Sequence, residues 1–431
     1  MTSLAHYAVN FNTKLKVSFD GGDLSSDAGL LVPRSFDEKL GLSRLIEAAF
    51  PATGKHDHPT ADVIRQLMYT TIAGYHTDDA SDRLRLDPAF TQILGKKELA
   101  SQPSVSRRLN EFDDRMLKKL DQLLLDFIEK AYSVNQPKHV VLDIDSTHID
   151  THGHQENSAF NYHYKTTGYH PLMLFDGLTG DLLKVELRKG SVYTSNNVVA
   201  FLEPVLQWFR TKFPTVELIL RGDSGFATPD LYELLESYDV HYVIRLKLNA
   251  ALTTCCQSAN DEFFELYGHD YTKCHNHYDA FHYQAGSWTK SRRVAVRIER
   301  HADEFYPRHT FIVTDLSLHP QEIIKIYQKR GQMENFIKEA KLDFGMETLS
   351  HSSFLTNSVK LLIRALAYNL INLMRHLVLP KSHQKSRLLT LRTILFKVAG
   401  RLTRSGRSIQ MKFSSSFPYL DLLRDLLVKL E

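Results

Sequence analysis

Three carboxylates stand at positions suited to metal-assisted chemistry on an anionic substrate. In VVLDIDST (140–147), strand alternation puts Leu142 and Ile144 on one face and Asp143 and Asp145 on the other, so both acids point the same way. In VELILRGDSGF (216–226), Asp223 ends an apolar strand just before Ser224-Gly225, at the carboxyl end where open α/β sheets place their sites. The local alternative for Asp223 is an Asx turn or a cap on the next segment. Further on, Tyr327, Arg330, Glu334 and Lys341 are spaced by three, four and seven residues. On one continuous helix, at about 100° per residue, they share a face roughly 60° wide, flanked by apolar Ile326, Met333 and Ile337. The bland alternative is a solvated face laced with salt bridges.

Carboxylates from separated segments suit Mg²⁺, which is held by a few of them together with phosphate oxygens and water. Two such ions stabilise both the entering and the leaving oxygen of an in-line phosphoryl displacement. An Arg fork matches phosphate geometry and a Lys supplies a point charge, so the cations beside Glu334 favour a polyanionic strand over a glycoside. One rival constellation gathers His269, His275, His277 and His282 around Cys274. Its C-H-x-H spacing lacks a second CxxC or HxxxH pair, so these read as exposed loop histidines rather than structural zinc ligands.

The elements around these residues define the expected fold. Five short strand patterns, at 139–147, 170–176, 182–188, 216–223 and 241–247, are rich in apolar and β-branched residues. Helical patterns separate the last three, which gives three meandering strands and then strands joined by crossover helices: a ribonuclease H-like mixed sheet of the α/β class. Residues 251–315 read as a β-rich antiparallel insertion, and 320–341 as one helix. The predicted organisation is a mostly helical region at 1–135, a catalytic core at 136–250 and 316–375 split by the insertion at 251–315, and a basic helical region at 376–431. Within the first region SVSRRLN opens a helix and puts Arg107 and Arg108 in its first turns, opposed to the helix dipole, as solvated charge or as phosphate contacts.

Asp145-Ser146-Thr147, LRGDSGF around Asp223 and the run Tyr-x2-Arg-x3-Glu-x6-Lys from Tyr327 to Lys341 resemble the DDE transposases of bacterial insertion sequences, in the group with a β-strand insertion before the catalytic Glu. The resemblance runs from SSDAGLL near residue 25 through RLRLDPAF and LRKGS to the helix after 355. It implies a ribonuclease H-like core in which Asp145, Asp223 and Glu334 are catalytic and hold two Mg²⁺ ions, with Mn²⁺ as a substitute. The family's Asp-x-Thr/Ser setting selects Asp145 and leaves Asp143 as a nearby second candidate. Tyr327, Arg330 and Lys341 would contact phosphates near the transposon end. Trp288, ahead of Ser291-Arg292-Arg293, would stack on a flipped base, with Arg292 and Arg293 beside it on DNA, or else pack in a core. The implied activity is endonucleolytic cleavage of DNA at terminal inverted repeats, then attack of the freed 3′-OH on target DNA, by a homodimer. The alternatives are a ribonuclease H-like nuclease without strand transfer and a non-catalytic DNA-binding protein that keeps the fold.

Charge and cysteine usage agree with a nucleic-acid partner in a reducing compartment. The net charge is +3, yet from Val359 onward 14 Lys and Arg face 3 acids, a local +11 that leaves −8 on the preceding 358 residues. That tail reads as suited to DNA phosphates. Three cysteines build no disulfide framework, no secretory signal opens the chain, and no apolar run is long enough to span a membrane. The expectation is a cytoplasmic protein, associated with the nucleoid when it acts.

Overall fold

The structure, a computed structural model, describes residues 7–52, 54 and 56–431. The chain forms two compact units interleaved in sequence: Leu124–Ala340 with Leu349–Ala365, and Met1–Leu123 with Lys341–Thr348 and Leu366–Glu431. No helix among the described residues is long and apolar enough to cross a membrane.

The first of these units is built on an eight-stranded sheet: β1 (His139–Ser146), β2 (Leu172–Asp176), β3 (Leu182–Glu186), β4 (Glu217–Gly222), β5 (His241–Leu246), β6 (His275–Tyr283), β7 (Arg292–Arg300) and β8 (Arg308–Thr314). Their order across the sheet is β6-β7-β8-β5-β4-β1-β2-β3. Strands β1, β4 and β5 are parallel neighbours, while β2 and β3 form an antiparallel meander on the other side of β1. Crossover helices α1 (Val198–Lys212) and α2 (Pro229–Ser237) make the parallel connections. A meander followed by helical crossovers, in the order 3-2-1-4-5, is the ribonuclease H-like arrangement.

The insertion does not form a sheet of its own. Strand β8 pairs antiparallel with the edge of β5, Val243 opposite Thr314 and Leu246 opposite Phe311, so β6 to β8 extend the main sheet and cover an edge that would otherwise be open. The first part of the run 251–315 read as β is instead helical, in Ala250–Cys255 and Gln257–Tyr267. Leu252, Cys256, Ala259 and Phe263 recur at three- and four-residue spacing and are all buried, a helical stripe that outweighs the aromatic content.

The reading of 320–341 as one helix also fails. Helix α3 (Pro320–Gln328) stops, and α4 (Gly331–Leu342) starts after a tight step in which Arg330, Gln332 and Met333 donate to carbonyls three residues back. That i→i−3 pattern changes the angular phase, so Tyr327 and Glu334 belong to two helices rather than one face. On α3, Ile323 and Ile324 pack against Val243, Ala295 and Ile312, which fixes the helix to the sheet.

In the other unit, helices Leu31–Leu40, Leu42–Ala49, Thr60–Ala73, Pro88–Leu94 and Gln102–Asn110 follow the helical reading of the early chain. The helical reading of 376–431 is corrected in part: Leu388–Leu391, Arg392–Phe396 and Leu420–Leu430 are helical, but Gly400–Ser405 and Ser408–Phe413 form a hairpin that pairs with Asp23–Ser25, turning at Gly406 with φ +55°. Much of the tail's positive charge is also spent internally. Arg392 is buried and donates to the Thr71, Ile72 and Asp343 carbonyls, while Arg387 pairs with Asp343, Lys397 with Asp27 and Arg404 with Asp23. Exposed charge stays on the hairpin at Arg401, Arg407 and Lys412.

Candidate active site

The parallel register of β1 and β4 sets Asp143 beside Arg221. Both are buried, and the guanidinium grips the carboxylate through two bonds of 2.6 Å each. Arg221 Nη1 donates a further 2.8 Å bond to the Ile326 carbonyl, tying the end of α3 to the sheet. Asp143 is therefore a structural partner, which removes it as a second metal-ligand candidate. Two residues beyond Asp143 and Arg221 come Asp145 and Asp223, toward the carboxyl ends of adjacent parallel strands and close enough that the charge of Asp223 acts on Asp145.

Asp145 is partly buried, and its Oδ2 lies 2.8 Å from Arg330 Nη2. Burial holds its carboxyl above the ordinary value; Arg330 pulls it down, and the negative charge of Asp223 pushes it up again. Asp223 does cap the short turn Ser224–Phe226, accepting the Gly225 N–H at 2.8 Å. The capping and the site readings are compatible, because the bond uses Oδ1 alone and a carboxylate carries about four lone-pair sites. Tyr327 is half-buried; burial raises its hydroxyl pKa, Arg330 and Arg245 act the other way, and the Arg245 side chain hydrogen-bonds to it.

Glu334 is exposed in the first turn of α4, where the helix dipole favours an acid. Among the described residues, Asp145, Asp223 and Glu334 do not converge to within 4.8 Å of one another. Lys341 pairs with Glu347 at 3.9 Å in the other unit.

The insertion residues are placed differently from the DNA-contact reading. Trp288 is only 7% exposed and lies edge-on to Tyr232 and Tyr283, both 5.3 Å away between centroids. Arg292 is buried, stacks over Tyr232 at 4.9 Å and pairs with Glu236 at 3.0 Å, and Arg293 donates to the Leu316 carbonyl. Trp288 and Arg292 are thus core, and two of their partners, Tyr232 and Glu236, lie far away in sequence on α2. Arg107 and Arg108 fall in the last turn of Gln102–Asn110, where the dipole favours them, because the chain breaks before Asp114–Val134 instead of running on as one helix. Arg107 is exposed, and Arg108 is taken up by the His58 carbonyl at 3.1 Å and Glu111 at 2.5 Å.

Several neighbours of the acids carried no local signal. Ser146 Oγ meets Thr194 Oγ1 at 3.2 Å. Arg188, buried and pushed down to about 10 by that burial, donates to the Thr194 and Asn196 carbonyls and so fixes this loop. Tyr164 feels both Asp145 and Asp223. Arg245 could have been found as the outward residue of an otherwise apolar strand.

A ribonuclease H-like sheet with two acids at adjacent strand ends defines a class of phosphoryl-transfer proteins. The family model for Transposase DDE domain group 1 matches residues 7–431, and the chain belongs to that family of DNA transposases. No curated protein matches the chain. Among solved structures, a piggyBac transposase synaptic complex with hairpin DNA is 14% identical, covering 85% of this chain and 80% of that one, with a TM-score of 0.43. A Mos1 transposase paired-end complex with the left transposon end is 13% identical over 51% and 74%, with a TM-score of 0.17. A Mos1 mariner paired end complex with Mn is 12% identical over 56% and 89%, with a TM-score of 0.19. Those scores add nothing to the fold assignment, which rests on strand order.

Proposed function

We propose that this transposase cleaves DNA at terminal inverted repeats and joins the freed 3′-OH to target DNA, using Asp145, Asp223 and Glu334 with Mg²⁺ or Mn²⁺. The observation that carries this is the closeness of Asp145 and Asp223, near enough for the charge of one to act on the other, with Arg330 on Asp145. Asp145, whose proton affinity the charge of Asp223 raises, together with Asp223 and with Glu334 exposed in the first turn of α4, offers the carboxylate oxygens that hard cations take. When bound, such ions supply activation of the attacking oxygen and charge stabilisation on the leaving one. The chain's own residues orient the DNA. The Arg330 fork is suited to exchange Asp145 for a phosphate, and Tyr327, held by Arg245, offers its hydroxyl to the same strand. Water first attacks phosphorus and the P–O3′ bond breaks, leaving a 3′-OH and a 5′-phosphate; that hydroxyl then attacks a target phosphodiester, joining its oxygen to the target phosphorus as the target's own P–O3′ bond breaks and its 3′-OH leaves, so no bond to protein forms.

The helical early chain, with exposed Arg107, reads the element ends, and a homodimer on two ends in the cytoplasm is the active assembly. Cleavage and joining of end-containing DNA with Mg²⁺ tests the reading. Asp145→Asn, Asp223→Asn and Glu334→Gln should each abolish both steps. Cleavage at wild-type rate by all three overturns the site, and cleavage without joining supports a nuclease instead.

A further inference from the structure

The far end of the insertion carries a second set of ligand-type side chains. In the antiparallel register of β6 and β7, His275 faces Arg300 and Asn276 faces Glu299, so the next pair outward is Cys274 with His301. Period two then puts Cys274, Asn276, Glu299 and His301 on one face. One ligand atom from each of Cys274, Glu299 and His301 lies within 4.8 Å of the others. We propose that these three side chains bind a Zn²⁺ ion, with water in the fourth position, that clamps the ends of β6 and β7.

The donor set and the geometry both suit it. Thiolate, imidazole and carboxylate select a borderline-soft ion such as Zn²⁺ over Mg²⁺. The Cys274 Sγ to His301 Nδ1 distance is 3.8 Å, near the edge of about 3.5 Å that tetrahedral bonds of about 2.3 and 2.0–2.1 Å to one ion would span. One thiolate and one carboxylate balance the charge of the ion.

The supporting groups are in place. Arg297 holds Glu299 Oε2 at 2.9 Å, and a carboxylate has a second oxygen to offer. The Asn276 amide donates to Cys274 Sγ at 3.8 Å and helps to orient the sulfur. On the opposite face Arg300 is fully buried, donates to the Tyr267 and Asp270 carbonyls and stacks over Tyr271 at 4.4 Å. Beyond the pair, the Asp303 N–H bonds the Tyr271 carbonyl at 2.9 Å. The backbones that carry the ligands are thus pinned before any ion arrives. Binding releases the Cys274 thiol proton to solvent, so affinity rises with pH.

The full chain with Asp145→Ala and Glu334→Ala, titrated with Co²⁺ and then Zn²⁺, gives a readout independent of DNA chemistry. One equivalent of Co²⁺ should produce a near-ultraviolet thiolate-to-cobalt charge-transfer band that Zn²⁺ abolishes. Cys274→Ser should remove the band and Cys255→Ser should leave it. Glu299→Gln and His301→Asn should each weaken binding by about tenfold or more and cancel the rise in Tm on adding Zn²⁺. A band that survives Cys274→Ser, or a Zn²⁺-dependent Tm unchanged in the His301 and Glu299 variants, overturns the proposal.

Discussion

Arg330 Nη2 lies 2.8 Å from Asp145 Oδ2, so a guanidinium from the step between two helices sits on the first of the three acids. The charge is mutually useful: burial alone would lower the Arg330 pKa, and Asp145, Tyr327 and Asp223 together lift it above its ordinary value. A metal ion at Asp145 must compete with this cation. Arg330→Ala should therefore tighten divalent-ion binding by about tenfold, about 1.4 kcal/mol for a mostly buried pair, while end cleavage falls by about two orders of magnitude as the phosphate loses its fork. Calorimetric Mn²⁺ titration alongside single-turnover cleavage checks both signs; weaker metal binding in the variant would refute competition.

The Asp143–Arg221 pair should behave as a stability element and not as part of the chemistry. Arg221→Met strands a buried carboxylate and should cost about 3–5 kcal/mol. Asp143→Leu with Arg221→Met should recover part of that, the remainder being the lost bond to the Ile326 carbonyl. Gly177→Ala should destabilise too, because a Cβ there would overlap the Asp143 carboxylate and the Arg221 guanidinium. Urea unfolding of the three variants gives the ranking, and equal losses in the single and double variants would show that the pair is not the unit.

Much of this site was legible in sequence, and the rest was not for identifiable reasons. Asp145 and Asp223 follow from strand patterns of apolar residues, and parallel pairing of those strands is what brings their ends side by side. The step at Lys329-Arg330 is invisible to a periodicity argument, because Tyr327, Arg330 and Glu334 fit a continuous helix as well as a broken one. Arg292 and Trp288 look like a surface patch locally. Their burial depends on Glu236, Tyr232 and Tyr283, brought in by the sheet. The hairpin at 400–413 did carry a signal, Ser405-Gly406 between alternating residues, which the surrounding helical pattern and basic composition masked.

Burial of Trp288 turns its expected role into a packing prediction. Trp288→Ala should destabilise the protein by about 3–5 kcal/mol through the cavity left between Tyr232, Tyr283 and Arg292. Trp288→Phe should keep cleavage of end DNA within a few-fold of wild type. A large loss of cleavage in Trp288→Phe at unchanged thermal stability would return the residue to the DNA.

Asp176, level with Leu142 across β1 and β2, gives a pH dependence with a definite sign. It is buried, accepts the Tyr132 hydroxyl at 2.9 Å and the Leu178 N–H at 2.9 Å, and is pushed up to about 6, by burial first and then by Asp181. An unfolded Asp titrates near 3.9, so between about pH 4 and 6 the native state holds more protons than the unfolded one. Stability from this group is complete below about pH 4, declines through the window and stays lower above about pH 6. The difference is about 3 kcal/mol at about 1.4 kcal/mol per unit. Asp176→Asn removes the titration while keeping the shape. The urea midpoint of the wild type should therefore fall relative to this variant on going from pH 4.5 to pH 7.5, and parallel midpoints across that range would show that Asp176 titrates normally.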